Sequence, residues 1–168
     1  MKKKIAFLFA VLMLALAGCG SKVNDHVVDY KVDMPEGFAA TEQEGVDACW
    51  MAPDQSNINL LIVDKDATTN AGFKAITADI LRDTVKSSMK EAYGQEPTVT
   101  DRYFTKDDVC GLPAYQYSYD MNLAGIEMTQ IIVCINADKT YTFTYTTDNA
   151  EYLDAFDASA KNIQLTLE

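Results

Sequence analysis

Residues 140–147 read Thr-Tyr-Thr-Phe-Thr-Tyr-Thr-Thr, and this stretch limits the fold more than any other. Aromatic residues at every second position, with threonine between them, have the period of a strand and present no helical face. A single strand of this kind cannot bury its aromatic side alone, so it needs neighbours and a cover. The flanking sequence supplies neighbours. Ile126–Ile135 is apolar on both faces towards its end, and Leu112–Asp120 carries Tyr115, Tyr117 and Tyr119 on one side. Asn122–Gly125 reads as the loop between them, and Asn136-Ala137-Asp138-Lys139 as a hairpin connection. Thr98–Thr105 is a further strand, preceded by Pro97 and followed by an acidic turn at Lys106-Asp107-Asp108.

Three more strands precede these. Tyr30–Met34 alternates and ends at the turn Pro35-Glu36-Gly37-Phe38. Ala40–Met51 is a second strand, interrupted at Glu44-Gly45, and Ile58–Val63 is apolar enough to be buried on both faces. Between the two sets the period changes. Phe73, Thr77, Leu81, Val85, Ser88 and Ala92 recur at spacings of three and four, which predicts one amphipathic helix over 71–93. Thr69 or Asn70 would cap its start and Gly94 would stop it. A last helix carries the stripe Leu153, Phe156, Ala160 and Ile163, and Asp148 with Glu151 has the spacing of a capping box. The order is βββαββββα. Strand runs joined by short turns imply an α+β domain, with a largely antiparallel sheet of six to seven strands flanked by helices.

The first 18 residues stand outside this pattern. Lys2, Lys3 and Lys4 precede an apolar run from Ile5 to Ala17. That run is short for a membrane span, which needs about 20 apolar residues, and has the form of an export signal. An ordinary secretory signal would look the same up to Ala17. Leu16-Ala17-Gly18-Cys19, however, resembles the lipobox of bacterial lipoproteins. The resemblance implies that Cys19 is alkylated by a diacylglycerol and becomes the first residue after cleavage. It divides the chain into a signal peptide (1–18), a lipidated cysteine with a polar tether (19–29) and one domain (30–168). It also implies attachment through lipid to the extracytoplasmic face of a bacterial membrane.

Charge excludes one class of partner. The full chain has a net charge of -11, and loss of the three leader lysines leaves -14. A chain this acidic does not track a nucleic-acid backbone, nor does its charge hold it on an anionic lipid surface. Cys49, Cys110 and Cys134 form no Cys-x-x-Cys pair, so a thioredoxin-like site or zinc knuckle has no basis. Outside the cytoplasm they allow one disulfide in three possible pairings, or three reduced thiols.

Catalysis has little to work with. The only histidine, His26, lies in the tether, where solvation accounts for it. The domain therefore lacks the commonest general base and metal ligand, and no nucleophile elbow or phosphate-binding glycine loop is present. The carboxylate pairs Asp64/Asp66, Asp107/Asp108 and Asp154/Asp157 read as solvated turn and helix charges. The expectation is a non-enzymatic chain without cofactor or metal. The aromatic stripes offer more. If the register suits, Tyr115, Tyr117 and Tyr119 join Tyr141 and Tyr145 on one sheet face, and with Trp50 they form the candidate binding face. The plainer alternative is aromatic packing beneath a helix.

The Pro-Glu-Gly-Phe turn, the Gly-Leu-Pro-Ala entry to the tyrosine strand and Thr-Tyr-Thr-Phe-Thr-Tyr before a final helix resemble the Mog1/PsbP-like domains. The resemblance covers Tyr30 to Leu167 and implies an α/β/α sandwich. Members of that fold act mostly by binding proteins, as a Ran-binding factor or an extrinsic subunit of photosystem II. The functional expectation is a membrane-anchored protein-binding or assembly module of the cell envelope, with an envelope protein as partner. The alternative is a small-ligand binder that uses the aromatic face.

Overall fold

The computed structural model describes residues 26–65 and 69–168, without the side chains of 69 and 70. The expected signal peptide, Cys19 and most of the expected tether lie outside the described residues. Ten strands and three helices follow in order: β1 (Val27–Lys31), β2 (Ala39–Thr41), β3 (Ala48–Met51), β4 (Asn57–Val63), α1 (Thr69–Ala75), α2 (Ala78–Tyr93), β5 (Thr98–Thr105), β6 (Asp108–Val109), β7 (Leu112–Leu123), β8 (Ile126–Asn136), β9 (Thr140–Thr147), α3 (Leu153–Lys161) and β10 (Gln164–Leu167).

The main sheet runs β2-β3-β4-β9-β8-β7-β5, with every pairing antiparallel and β6 paired to β7 beside it. β1 and β10 form a separate antiparallel ribbon. The sheet is the middle of three layers. On one side Leu81, Val85 and Met89 of α2, with Phe73 of α1, pack on Tyr115, Tyr117, Tyr119, Ile132 and Cys134. On the other, Phe156 and Ala160 of α3 pack on Ile58, Leu60, Ile131, Val133, Phe143 and Tyr145. The ribbon adds Val27, Tyr30 and Leu165 to that second core. Each large apolar side chain fully withdrawn from water contributes about 1.5–3 kcal/mol, so both helical layers are needed to seal the sheet.

Several local expectations change. The helix over 71–93 is two helices, because the chain breaks at Ile76–Thr77. Thr77 adopts extended backbone and its side chain accepts from the Ile80 N–H at 3.3 Å, so it caps α2 from a position expected to lie inside the helix. Gly94 ends α2 as expected, in the left-handed region at φ 72° with its N–H on the Lys90 carbonyl. The 40–51 strand is a hairpin of β2 and β3. β7 runs three residues past Asp120, which leaves Ala124 and Gly125 as a two-residue turn with both φ positive. Asn149, and not Asp148, makes the capping bond ahead of the last helix: its side chain accepts from the Glu151 N–H at 3.0 Å at the start of a 3-10 turn, while α3 itself has no side-chain cap. That 3-10 turn, Ala150–Tyr152, leads into α3. The short strand β10 was not expected.

Candidate functional site

Antiparallel register puts one residue from each strand in a row across the sheet, all on the same face. Trp50, Ile58, Tyr145, Ile131 and Ser118 form one row on the α3 side. Tyr103 completes it, and its hydroxyl donates to Asp157 on α3 at 2.9 Å. Burial, then the Asp157 carboxylate, raises the Tyr103 pKa well above its ordinary value, so this hydroxyl stays a donor. The Tyr103–Asp157 bond pins β5 to α3 at this level. A bulge between Asp101 and Tyr103 makes it possible, since Asp101 faces α2 while Tyr103 faces α3.

Beyond that row the same face changes character. The next two rows are Thr147–Thr129–Asp120–Thr100 and Glu127–Asn122–Thr98. They form the floor of a groove with a volume of about 580 Å³. Asp148, Asn149, Ala150 and Leu153 make its wall, so the capped 3-10 turn ahead of α3 is also an edge of the groove. Thr147 is fixed beneath that wall: its hydroxyl lies 2.8 Å from that of Ser56 and accepts from the Asn149 N–H at 2.9 Å. Asn149 in turn donates to Asp54 at 3.2 Å. Burial pushes the Asp54 carboxyl up, but the Ser56 N–H and the Asn149 and Ser56 side chains outweigh it and leave the pKa lowered.

The groove is acidic. Its lining holds Asp120, Glu127 and Asp148 and no lysine, arginine or histidine. Thr129 donates to Asp120 at 2.7 Å and Asn122 to Glu127 at 3.3 Å, which orients both carboxylates without neutralising them. Elsewhere acids do meet cations: Asp79 and Asp101 share Arg82, Glu96 meets Lys90 and Asp64 meets Lys139. None of the three groove carboxylates has an ion pair among the described residues. Nor is any group of three His, Cys, Asp or Glu side chains among the described residues placed to hold a metal.

The aromatic residues are arranged differently from the shared face expected of them. Tyr117 pairs through Ile132 with Thr144, and not with Phe143 or Tyr145. The register therefore puts Tyr115, Tyr117 and Tyr119 under α2, and Tyr141 and Tyr145 on the α3 side. All five are buried, none more than 4% exposed. Tyr117 donates to Asp101 at 2.6 Å, Tyr119 to the Gln130 side chain, and Tyr145 meets Ser159 at 3.2 Å. Their polar tips are thus satisfied inside the protein. Trp50 is half-buried against Tyr30, with ring centroids 6.4 Å apart. No aromatic side chain lines the groove.

The three domain cysteines are free, Cys49 and Cys134 buried and Cys110 exposed. Burial raises the pKa of Cys49 and Cys134, which makes both poor nucleophiles. Of the carboxylate pairs noted in the sequence, Asp64 bonds Lys139 and Asp157 bonds Tyr103, while Asp66 lies outside the described residues. Asp120 and Glu127 escaped notice because each sits in a strand's polar parity, which reads as an ordinary solvated face, and Asp148 was read only as a helix cap. The available signal was Asp120 and Asn122 on one strand with Glu127 and Thr129 on the next, across one tight turn.

No family model matches the sequence, and no curated protein matches it. Solved structures do. Cyanobacterial PsbP (CyanoP) from Synechocystis sp. PCC 6803 superposes with a TM-score of 0.62 at 16% identity, covering 90% of this chain and 99% of that one. LpqN of Mycobacterium tuberculosis, described as involved in cell envelope biogenesis, gives 0.50 at 13% identity, covering 82% and 83%. The chain thus has the PsbP-like fold. Among the described residues no helix is long and apolar enough to cross a membrane.

Proposed function

We propose that this chain is a lipid-anchored, extracytoplasmic accessory module of the cell envelope that works by binding another protein and not by catalysis. The observation that carries the reading is the groove: an uncovered sheet face with uncompensated charge and no nucleophile–base pair beside it. The fold shared with CyanoP, and the envelope role in LpqN's description, support it. Attachment through Cys19 fits the geometry. His26 is the seventh residue after Cys19, a reach of at most ~25 Å, and it bonds Asp138 at the β8–β9 turn at 3.0 Å. The groove lies at the other end of β8, roughly 30 Å away at about 3.4 Å per residue. A lipid on Cys19 would leave the groove facing away from the membrane.

A small-ligand reading has the groove's volume in its favour, which falls within the usual range for ligand pockets. The aromatic lining once expected for it is absent there. In-cell crosslinking followed by fractionation tests the main reading. The wild type is expected in membranes with one envelope protein enriched over a Cys19→Ser control, which should be released. A Cys19→Ser chain that stays with membranes removes the lipid anchor, and a wild type that enriches no protein removes the binding module.

A further inference from the structure

We propose that the groove docks an extended, basic segment of the partner protein, one that carries lysine or arginine at alternate positions. This rests on the reading of the chain as a binding module and names the chemistry of what it binds. Three observations favour that occupant. The first is charge: three carboxylates border one groove whose lining has no cation, and no described residue forms an ion pair with any of them. The second is preorganisation. Thr129 and Asn122 each donate to one oxygen of Asp120 and Glu127, holding the carboxylates while leaving the second oxygen of each for a ligand. The third is spacing. Asp120 lies opposite Thr129 and Glu127 opposite Asn122, so the two acids are diagonal neighbours on adjacent strands.

Diagonal neighbours are ~7–8 Å apart. No three acids are placed to share one metal ion, so the charges are spread and not focused on a point. An extended peptide advances ~6.8 Å over two residues, which sets alternate basic side chains at about the carboxylate spacing. The hydroxyls of Thr98, Thr100 and Thr129 accept hydrogen bonds from such a chain, while Leu153 offers apolar contact to the side-chain stems.

The test uses the full chain in mild detergent and a fluorescein-labelled Gly-Arg-Gly-Arg-Gly peptide, with fluorescence anisotropy as the readout. Binding is expected at physiological salt, weakened about tenfold or more by combining Asp120→Asn, Glu127→Gln and Asp148→Asn. A control with Asp83→Asn, Glu91→Gln and Asp107→Asn removes the same charge from elsewhere and should change affinity less than about twofold. If the groove triple fails to fold, the three single changes are measured instead, each expected to weaken binding more than any control change. Absence of peptide binding overturns the proposal. So does an equal loss in the control, which would mean attraction by total charge, or stronger competition by calcium or spermidine, which would assign the groove to a small cation. The crosslinking experiment separates the two readings. A partner captured by the wild type and equally by the groove triple overturns the docking site and leaves the binding module standing; no partner on the wild type overturns the module itself.

Discussion

Strands β7 and β8 run through both ends of the α3-side face of the sheet, yet the two ends behave as different materials. At Tyr145, Ile131 and Ile58 it is dry, none of the three being measurably exposed, and Phe156 of α3 closes over it. Two rows further along β7 and β8 it is threonine, asparagine and carboxylate, and α3 has only begun at Leu153. Backbone geometry does not distinguish the ends; the side chains do. A helix is held where it can bury rings, and the row where the apolar residues stop is where the sheet opens. The lesson is that the groove is not a gap left by poor packing. The hydroxyls and acids that line it give α3 nothing to bury.

That contrast can be broken first at its dry end. Phe156 is 1% exposed and packs on Phe38 and Tyr145, with centroids 5.6 and 5.3 Å away. Phe156→Ala should cost about 3–5 kcal/mol in urea unfolding. Asp120→Asn should stay within about 0.5 kcal/mol, since that carboxylate is exposed. Comparable losses would mean that the two ends are not the separate structures drawn here. Asn149 sits at the junction and sharpens the comparison. Asn149→Ala removes the cap bond to Glu151 and should cost about 1 kcal/mol. It should also weaken peptide binding at the groove, because it frees the wall; a stability loss with unchanged binding would make the cap a structural feature only.

The smallest expected effect lies at the far end, at Asp138. Burial pushes its carboxyl up, but the Lys139 N–H, the His26 ring and the Tyr141 hydroxyl outweigh that and hold it below its usual 3.8. A carboxylate lowered on folding contributes stability above its unfolded pKa and loses it as pH falls through the folded value. Asp138→Asn should therefore lower stability at neutral pH and flatten the fall below about pH 4. Thermal melts from pH 7 to pH 2 check this; parallel curves for variant and wild type would count against it.

Local alternation makes the fold legible and leaves the groove hidden, for one physical reason. Alternation within Leu112–Asp120 and Thr140–Thr147 shows that each strand has an aromatic side, and it does. Whether two such sides coincide depends on register and on turn length, which alternation does not encode. A single residue decides it: Tyr117 lies in line with Thr144 and not Phe143. The helix stripe was legible at Leu81 and Val85, and the stop at Gly94, because those signals are local. The break at Thr77 was not, since threonine suits both an inward helix position and a cap. Asp120 and Glu127 were invisible as a pair until a two-residue turn at Ala124-Gly125 brought their strands together.

The ribbon of β1 and β10 has a mechanical consequence. Val27 pairs with Leu167 at its open end, and Tyr30 with Leu165 further in. A pull on the chain ahead of His26 would load the bond from the Glu168 N–H to the His26 carbonyl and the His26–Asp138 bond first, then the Val27–Leu167 rung and the others in turn, so the strands would peel apart as a zip does. The main sheet meets that load at the β8–β9 turn, through the His26–Asp138 bond, before any rung of the ribbon opens. Once those outer contacts are lost, the ribbon would yield rung by rung and lengthen the chain ahead of the sheet by the residues of β1, with the groove lying at the other end of β8.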